Sequence, residues 1–587
     1  MSRNPPAQGA SKKPPLPLYL FGGVIVAYLA VLLAPAFAVP TKNIFELAPL
    51  ITSALQNPLI LKWTAVTGKT LLWFFAAYAI ALLLLFSSRK NTRYGAEHGS
   101  AKWTSPNTLS RRFADKKNPD TNLVLSVKMR LGFDGFKTRR NLNVCVIGGP
   151  GTGKSRGYVI PNALQAGCNF IVTDPKGELL RTTGSMLTAM GYSVRCLDLQ
   201  HTGMETSFGY NPFEYIQSDL EAVALVGNLQ RSIKPKGSTT SEPFWEEAAC
   251  GLLSALVLYV WHEMPKQEQN WAMVLRLLNL HKPGEGYSPI SAMFAALEQR
   301  DPDAYALTQW NIYRQAGDDR TAQSISVTAA VALAKLAEPT VAAMMRTDEL
   351  YLEDLATEKV ALFVCTDDAD PTLNFLAGML YTQLFQRLNH LADRVHKGRL
   401  PKLVQFYLDE FANITLPLDF EHFLATCRGR NMGVSIILQS LSQLKRLYDK
   451  SWQAILGQCD TILYLGSNEN DTNEYISKSL GKETIDTRSS SLQRGMRGHY
   501  TVSEQRIGRE LMMADELRTL PNDQSIVLIR AESPMRDTKF DPTKHPRFVL
   551  TAQGNGEAYD YAAHSQFLLG DLPCYRERVG EFILYVA

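Results

Sequence analysis

The hydrophobic positions of this chain fall into three regimes. Leu16 to Val39 is a long apolar run without a charge, and a second, Val66 to Phe86, is interrupted only near its start by Gly68 and Lys69. Each is long enough to cross roughly 30 Å of hydrocarbon, and Lys69 can snorkel its ammonium to the interface. The small residues Ala34-Pro35-Ala36-Phe37-Ala38 would suit a cleaved leader, but the apolar region is too long for one and a second span follows.

Beyond these runs, short apolar segments alternate with helix-periodic stretches. Asn122 to Met129, Val144 to Ile147, Asn169 to Thr173, Tyr192 to Leu199, Val360 to Thr366, Leu403 to Leu408, Val434 to Leu438 and Gln524 to Arg530 read as strands, the last as the final core strand. Strand, helix and strand at this spacing predict an α/β fold with a parallel sheet, whose ligands sit at the carboxyl ends of the strands. From about Asn211 to Arg346 the period changes. Glu246 to Trp261, Trp271 to Leu280 and Thr321 to Leu336 are helical, and strand candidates are few, so this region reads as an all-helical insertion. Ala248 to Trp261 is too short to span a membrane and predicts a buried helix. Helices are also expected at Thr372 to Val395, Phe420 to Cys427 and Glu469 to Ser479, and a Ser/Gly/Arg loop at Arg488 to Tyr500, carrying Arg494 and Arg497.

Composition narrows the class. With 587 residues, 45% apolar and 20% charged, the chain has room for a large core, and wholesale disorder is excluded. The net charge of +4 is unevenly placed: nine Lys/Arg against Glu46 and Glu97 give the first 98 residues +7, which leaves the remainder at −3. Global charge therefore offers no argument for nucleic-acid binding, which would need a local patch or channel. Lys12 and Lys13 precede the first span, while Arg89, Lys90 and Arg93 follow the second, a bias that puts both ends in the cytoplasm. The eight cysteines are scattered, with no C-x-x-C pair, and fit a reducing cytosol.

One stretch organises the body. After the apolar run Val144 to Ile147 come Gly148, Gly149, Pro150, Gly151, Thr152, Gly153, Lys154 and Ser155, the spacing G-x-x-x-x-G-K-[ST], followed by Arg156. Glycines let successive N–H groups converge on phosphate oxygens, and the following helix adds its dipole. Lys154 would reach the β- and γ-phosphates of ATP, and Ser155 would hold Mg2+.

The strand Leu403 to Leu408 ends in Asp409-Glu410, the second half of a nucleotide-hydrolysis site. Asp409 would bind Mg2+ through water, and Glu410 would polarise the attacking water. Gln439, at the end of another core strand, can orient that water or sense the γ-phosphate. Arg428 or Arg430 could reach a neighbouring subunit's nucleotide as an arginine finger. The Arg488 to Tyr500 loop could line a nucleic-acid path, or be plain surface.

Laid out in order, the chain resembles the coupling proteins of type IV secretion systems, the TraG-type conjugation ATPases. The match runs through the membrane hairpin, His98-Gly99-Ser100-Ala101-Lys102-Trp103, the Gly148 to Ser155 loop, Asp174-Pro175-Lys176-Gly177-Glu178, Tyr210-Asn211-Pro212, Phe406 to Phe411, Arg428-Gly429-Arg430, Gln439-Ser440 and Leu480-Gly481-Lys482. The resemblance implies a RecA-like P-loop NTPase domain with an inserted all-helical domain, preceded by a two-helix transmembrane anchor. It further implies an inner-membrane homo-hexamer beneath the secretion channel and its other ATPases. Such an assembly would recruit relaxase-bound single-stranded DNA, or protein effectors, using ATP.

The expected organisation is a cytoplasmic tail (1–15), spans at 16–39 and 66–87 around a periplasmic loop (40–65), and a nucleotide-binding domain in two parts (88–210 and 347–587) around the helical domain (211–346). Two other functions share these residues: an FtsK-type duplex-DNA translocase, and an ATP-gated docking scaffold that moves nothing. Against the first stand two spans rather than several and no recognisable small DNA-reading domain at the chain's end.

Overall fold

The computed structural model describes residues 16–40, 47–87, 95–200, 204, 207–233, 243–283, 288–315, 318–414, 416, 420–492 and 500–561. The chain divides into two units, one of residues 1–100 with 482–509 and one of residues 101–481 with 510–587. Lys12, Lys13, Arg89, Lys90, Arg93, Arg494 and Arg497, which entered the topology and loop expectations above, lie outside the described residues.

In the first unit, Leu16–Phe37 and Thr67–Ser87 are helices long and apolar enough to cross a membrane. They pack on each other: Tyr78 Oη donates to the Tyr19 carbonyl at 2.8 Å, and a Cβ at Gly22 would stand 2.6 Å from the Tyr78 hydroxyl oxygen. Between them Leu47–Gln56 is a short amphipathic helix.

The strands, in chain order, are β1 Asn122–Val124, β2 Arg130–Gly132, β3 Val144–Ile147, β4 Asn169–Thr173, β5 Ser193–Asp198, β6 Val360–Cys365, β7 Val404–Leu408, β8 Met432–Leu438, β9 Thr461–Tyr464, β10 Lys482–Leu492, β11 Tyr500–Glu510, β12 Gln524–Ile529 and β13 Met535–Thr538. Of the expected loop at Arg488 to Tyr500, residues 488–492 and Tyr500 are instead strand, the ends of β10 and β11, which form a two-stranded ribbon, and 493–499 lie outside the described residues. Arg488 lies on the ribbon, paired with Glu504. The reason is composition: the ribbon's strands are largely polar, and none of their residues with described burial is buried, so no apolar alternation marks them. Within the same unit, Thr484 Oγ1 accepts from the N–H groups of His98 and Gly99 and donates to the Gly99 carbonyl at 3.1 Å. Ser100 bridges Glu483, and any Cβ at Gly99 would lie 2.1 Å from the Lys482 carbonyl oxygen. Only glycine fits there, which gives the His98-Gly99-Ser100 motif a structural role.

The second unit is built on a nine-stranded mixed sheet of order β13-β12-β9-β3-β8-β7-β4-β6-β5. The seven strands from β9 to β5 run parallel, and β12 is antiparallel to both β9 and β13. Central strands such as β3 and β7 are buried at every position, as expected when helices cover both faces. Two strands differ from the sequence expectation. β9 was not anticipated although it pairs with β3, and β13 follows β12, so Gln524–Ile529 is not the last core strand. Asn122 to Met129 is also shorter than expected, forming the hairpin β1–β2.

Between β5 and β6 no strand occurs among the described residues. The segment holds the helices Asp219–Ile233, Pro243–Glu263, Trp271–Leu280, Pro289–Arg300, Tyr305–Arg314, Asp319–Leu333 and Pro339–Met344. Pro243–Glu263 is longer than Ala248 to Trp261 and would by length and composition cross a membrane. Its central residues from Leu252 to Leu258 carry little or no exposed surface, so it forms the core of the helical segment. Phe294 and Trp310 stack at 4.4 Å beside it. The entrance is pinned by the Tyr210-Asn211-Pro212 motif. Asn211 caps the following turn by accepting from Phe213 N–H, its amide donates to the Gln269 carbonyl at 2.8 Å, and Tyr210 Oη donates to Gln383 at 2.7 Å.

Candidate functional site

The site lies at the carboxyl ends of the parallel strands. β3 runs straight into the loop Gly148 to Ser155. Gly148 N–H donates to the Leu438 carbonyl on β8 at 3.0 Å, and Gly149 N–H to the Gly466 carbonyl after β9 at 2.9 Å, so both neighbouring strands hold the loop's entrance. Gly151 and Gly153 have φ of +73° and +84°, which glycine adopts without strain. Thr152 Oγ1 closes the turn on the Gly149 carbonyl at 2.8 Å, and the helix after the loop begins with one π-helical turn, Ser155–Val159. Lys154 is buried, its ammonium 3.5 Å from the Gly149 carbonyl. Arg156 is exposed, 4.0 Å from Asp541.

The loop meets the acids of β7. Ser155 Oγ donates to Asp409 Oδ2 at 2.6 Å, and Asp409 Oδ1 accepts from the Glu410 N–H at 3.0 Å. Burial pushes the Asp409 carboxyl up, while the Ser155 hydroxyl and the Lys154 ammonium pull it back. A hydroxyl and a carboxylate converging beside a lysine suit Mg2+ and phosphate together. Glu410 occupies the left-handed region, φ +47°, a conformation costing a non-glycine residue about 1 kcal/mol. That backbone turn carries its carboxylate to β8, where Gln439 Nε2 donates to both oxygens at 3.1 and 3.0 Å.

Further groups surround this centre. Asp174, at the end of β4, is buried and accepts from Leu180 N–H at 2.9 Å; burial pushes its carboxyl up to about 6. Asp368, after β6, is held up by partial burial and by the Glu410 charge, and accepts from Asn413 at 3.1 Å.

Lys539, just past β13, was not anticipated. Its ammonium donates to the carbonyls of Thr152 in the loop and Leu465 after β9, both at 2.8 Å, and burial lowers it to about 8. Nothing in its local sequence marks it, because its role depends on the antiparallel edge of the sheet.

Arg428 and Arg430 are elsewhere. Both precede β8, at its amino end, whereas the loop and Gln439 sit at the carboxyl ends. Seven residues of strand separate the two edges by roughly 20 Å, so neither arginine serves the site of its own subunit. Arg430 makes a bidentate pair with Asp393 at 2.9 and 2.7 Å. The Arg428 guanidinium lies 5.7 Å from the centre of the Phe136 ring, and its buried Nε has no hydrogen-bond partner.

A glycine-rich loop between strand and helix, with an acid pair on a strand one removed across a parallel sheet, defines a P-loop nucleotide-binding protein. The plasmid coupling protein TrwB has this fold. Its structure in complex with ADP and Mg2+ aligns with a TM-score of 0.53 at 16% identity, over 75% of this chain and 94% of that one. Its complex with the non-hydrolysable ATP analogue ADPNP aligns with a TM-score of 0.54 at 18% identity, over 76% and 96%. The architecture is therefore a RecA-like P-loop NTPase with a helical domain, as the sequence implied. The family model for type IV secretory system conjugative DNA transfer matches residues 98–552, and the chain belongs to that family. Among curated proteins it is similar to VirD4 of Rhizobium radiobacter, 25% identical over 504 residues, which covers 82% of this chain and 69% of that protein. It is also similar to the conjugal transfer protein TraG of Agrobacterium fabrum, 24% identical over 410 residues, covering 67% and 59%. It is thus a type IV coupling protein of the TraG kind.

Proposed function

We propose that this chain is an ATP-hydrolysing coupling protein of the bacterial inner membrane, acting as a homo-hexamer that hands relaxase-bound single-stranded DNA, or protein effectors, to a type IV secretion channel. The observation that carries the reading is the meeting of Ser155 with Asp409 beside Lys154, next to a Glu410 whose carboxylate Gln439 holds. In this reading the amides of Gly148 to Gly153 cradle the phosphates, Lys154 takes the β- and γ-phosphates, and Ser155 and Asp409 hold Mg2+. ATP supplies the phosphoanhydride whose hydrolysis is the energy source. Glu410 accepts the proton of the attacking water, and Gln439 fixes the direction in which that carboxylate points. The TrwB complexes with ADP, Mg2+ and ADPNP support the nucleotide and metal. The apolar helices Leu16–Phe37 and Thr67–Ser87 support two spans, and the basic residues Lys12, Lys13, Arg89, Lys90 and Arg93 that flank them in the sequence support cytoplasmic termini.

The experiment is the ATPase rate of the full chain in detergent, with and without single-stranded DNA across a salt series. Turnover that Lys154→Ala abolishes, and DNA stimulation that fades steeply with salt, is expected. Hydrolysis that persists in Lys154→Ala would overturn the site. A wild-type rate indifferent to DNA at every salt would leave the site standing and reassign the cargo to protein.

A further inference from the structure

At the opposite edge of the sheet, Cys196 and Asp198 on β5 and Cys365 on β6 point to the same face, since Asp198 pairs with Cys365 and Cys196 with Phe363 two residues earlier. All three are buried, and their sulfur and carboxylate ligand atoms lie within 4.8 Å of one another. The two sulfurs are 3.8 Å apart.

Two chemistries use a pair of thiols this close. A disulfide is disfavoured by the strand register: the cysteines are diagonal neighbours, a relation that places Cα atoms about 7–8 Å apart, beyond what an S–S bond bridges without backbone movement. Chelation has the opposite requirement. Two thiolates about 2.3 Å from a tetrahedral Zn2+ stand roughly 3.8 Å from each other, which is the separation here. Asp198 is also oriented as a ligand would be: Oδ1 accepts from Gln200 N–H at 2.9 Å and Oδ2 from the Tyr561 hydroxyl, leaving lone pairs on both oxygens.

The geometry points to a binding site for a thiophilic divalent cation, Zn2+ in a reducing cytosol, held by Cys196 Sγ, Cys365 Sγ and the Asp198 carboxylate. Binding exchanges two S–H bonds for two Zn–S bonds and releases two protons to solvent, with no electron transferred. Without metal, burial holds the Cys196 thiol protonated, and its contact with Cys196 and burial do the same for Cys365, so the pair is inert as a nucleophile. The site ties β5 to β6, the strands between which the helical segment is inserted, and through Asp198 reaches Tyr561 near the end of the described chain. It is separate from the nucleotide loop on β3, since three strands, β8, β7 and β4, lie between β3 and β6.

The test is metal content and Cd2+ titration of the full-length detergent-solubilised protein, with elemental analysis after dialysis against a mild chelator. About one equivalent of Zn2+ per chain is expected, together with an ultraviolet thiolate-to-Cd2+ charge-transfer band. Cys196→Ser, Cys365→Ser and Asp198→Asn should each weaken the affinity roughly tenfold or more, while Cys427→Ser and Cys459→Ser leave it unchanged. Wild-type protein that retains no Zn2+ and shows no charge-transfer band, or binding that survives both Cys196→Ser and Cys365→Ser, overturns the site. Should those variants aggregate, X-ray absorption of the wild-type Zn2+ protein decides: two sulfur neighbours near 2.3 Å support the assignment and none refutes it.

Discussion

Gln439 Nε2 donates to both carboxylate oxygens of Glu410, at 3.1 and 3.0 Å, across the neighbouring strands β8 and β7. The amide holds the carboxylate by two charge-assisted bonds, so the two residues act as one unit. Glu410→Gln should still bind ATP but hydrolyse it about 10²- to 10⁴-fold more slowly, the usual contribution of a general base. Gln439→Ala should slow hydrolysis less, by about tenfold, near the value of one hydrogen bond to a charged group. Single-turnover hydrolysis alongside equilibrium nucleotide binding separates the two effects, and near-normal turnover in Glu410→Gln removes the base.

For the arginines, the pairing of Arg430 with Asp393 and the unpartnered Nε of Arg428 divide the roles. Arg430→Gln and Asp393→Asn should lower thermal stability alike, each by up to about 1 kcal/mol because the pair is partly exposed. If the proposed hexamer forms, Arg428→Gln should instead poison hydrolysis when mixed with wild-type chains, the mark of a finger acting in trans. Loss confined to the mutant subunits' own sites would count against that.

Lys539 sets a pH dependence. Burial lowers its ammonium to about 8 from an ordinary 10.5. Between those values the unfolded chain holds the extra proton, so this group adds to global stability as pH rises, even as the folded protein loses the charge that clamps Thr152 and Leu465. Nucleotide affinity should therefore weaken as pH rises through 8 while the melting temperature does not fall on this account. Lys539→Met should weaken binding already at pH 7 and flatten the pH profile, which titration calorimetry at several pH values would read out.

Gly99 tolerates no side chain against the Lys482 carbonyl. Gly99→Ala should detach the start of the ribbon, raising hydrogen exchange over residues 482–488 roughly tenfold while leaving exchange in β3 and β7 unchanged. Equal protection in mutant and wild type would show that the ribbon is held by other contacts.

What could be read in the sequence follows from how much of each feature is local. β3 and β7 are continuous apolar runs that end in a glycine loop and an acid pair, so strand, turn and chemistry lie within a dozen residues of one another. β9 escaped because Thr461–Tyr464, although as long as β3 and flanking it, leads into no recognisable motif that would mark so short an apolar run as a strand. The β10–β11 ribbon escaped because its strands are largely polar. Lys539 and Thr152 are joined only once the edge strands have turned back beside β9 and β3. The Arg428-Gly429-Arg430 run was visible, but its residues' different partners, Phe136 and Asp393, were not.

The helical segment leaves the sheet after β5 and re-enters at β6, and these two strands are hydrogen-bonded neighbours, with Asp198 opposite Cys365. Because the two strands are parallel, its exit after Asp198 lies at their carboxyl ends and its return at Val360, which pairs with Ser193, at their amino ends, so the segment is a crossover between neighbouring strands. A cassette spliced between paired strands can be lengthened, shortened or exchanged without re-threading the seven parallel strands. The nucleotide loop on β3 and the helices grown from the far edge are thus free to diversify on separate schedules within one polypeptide.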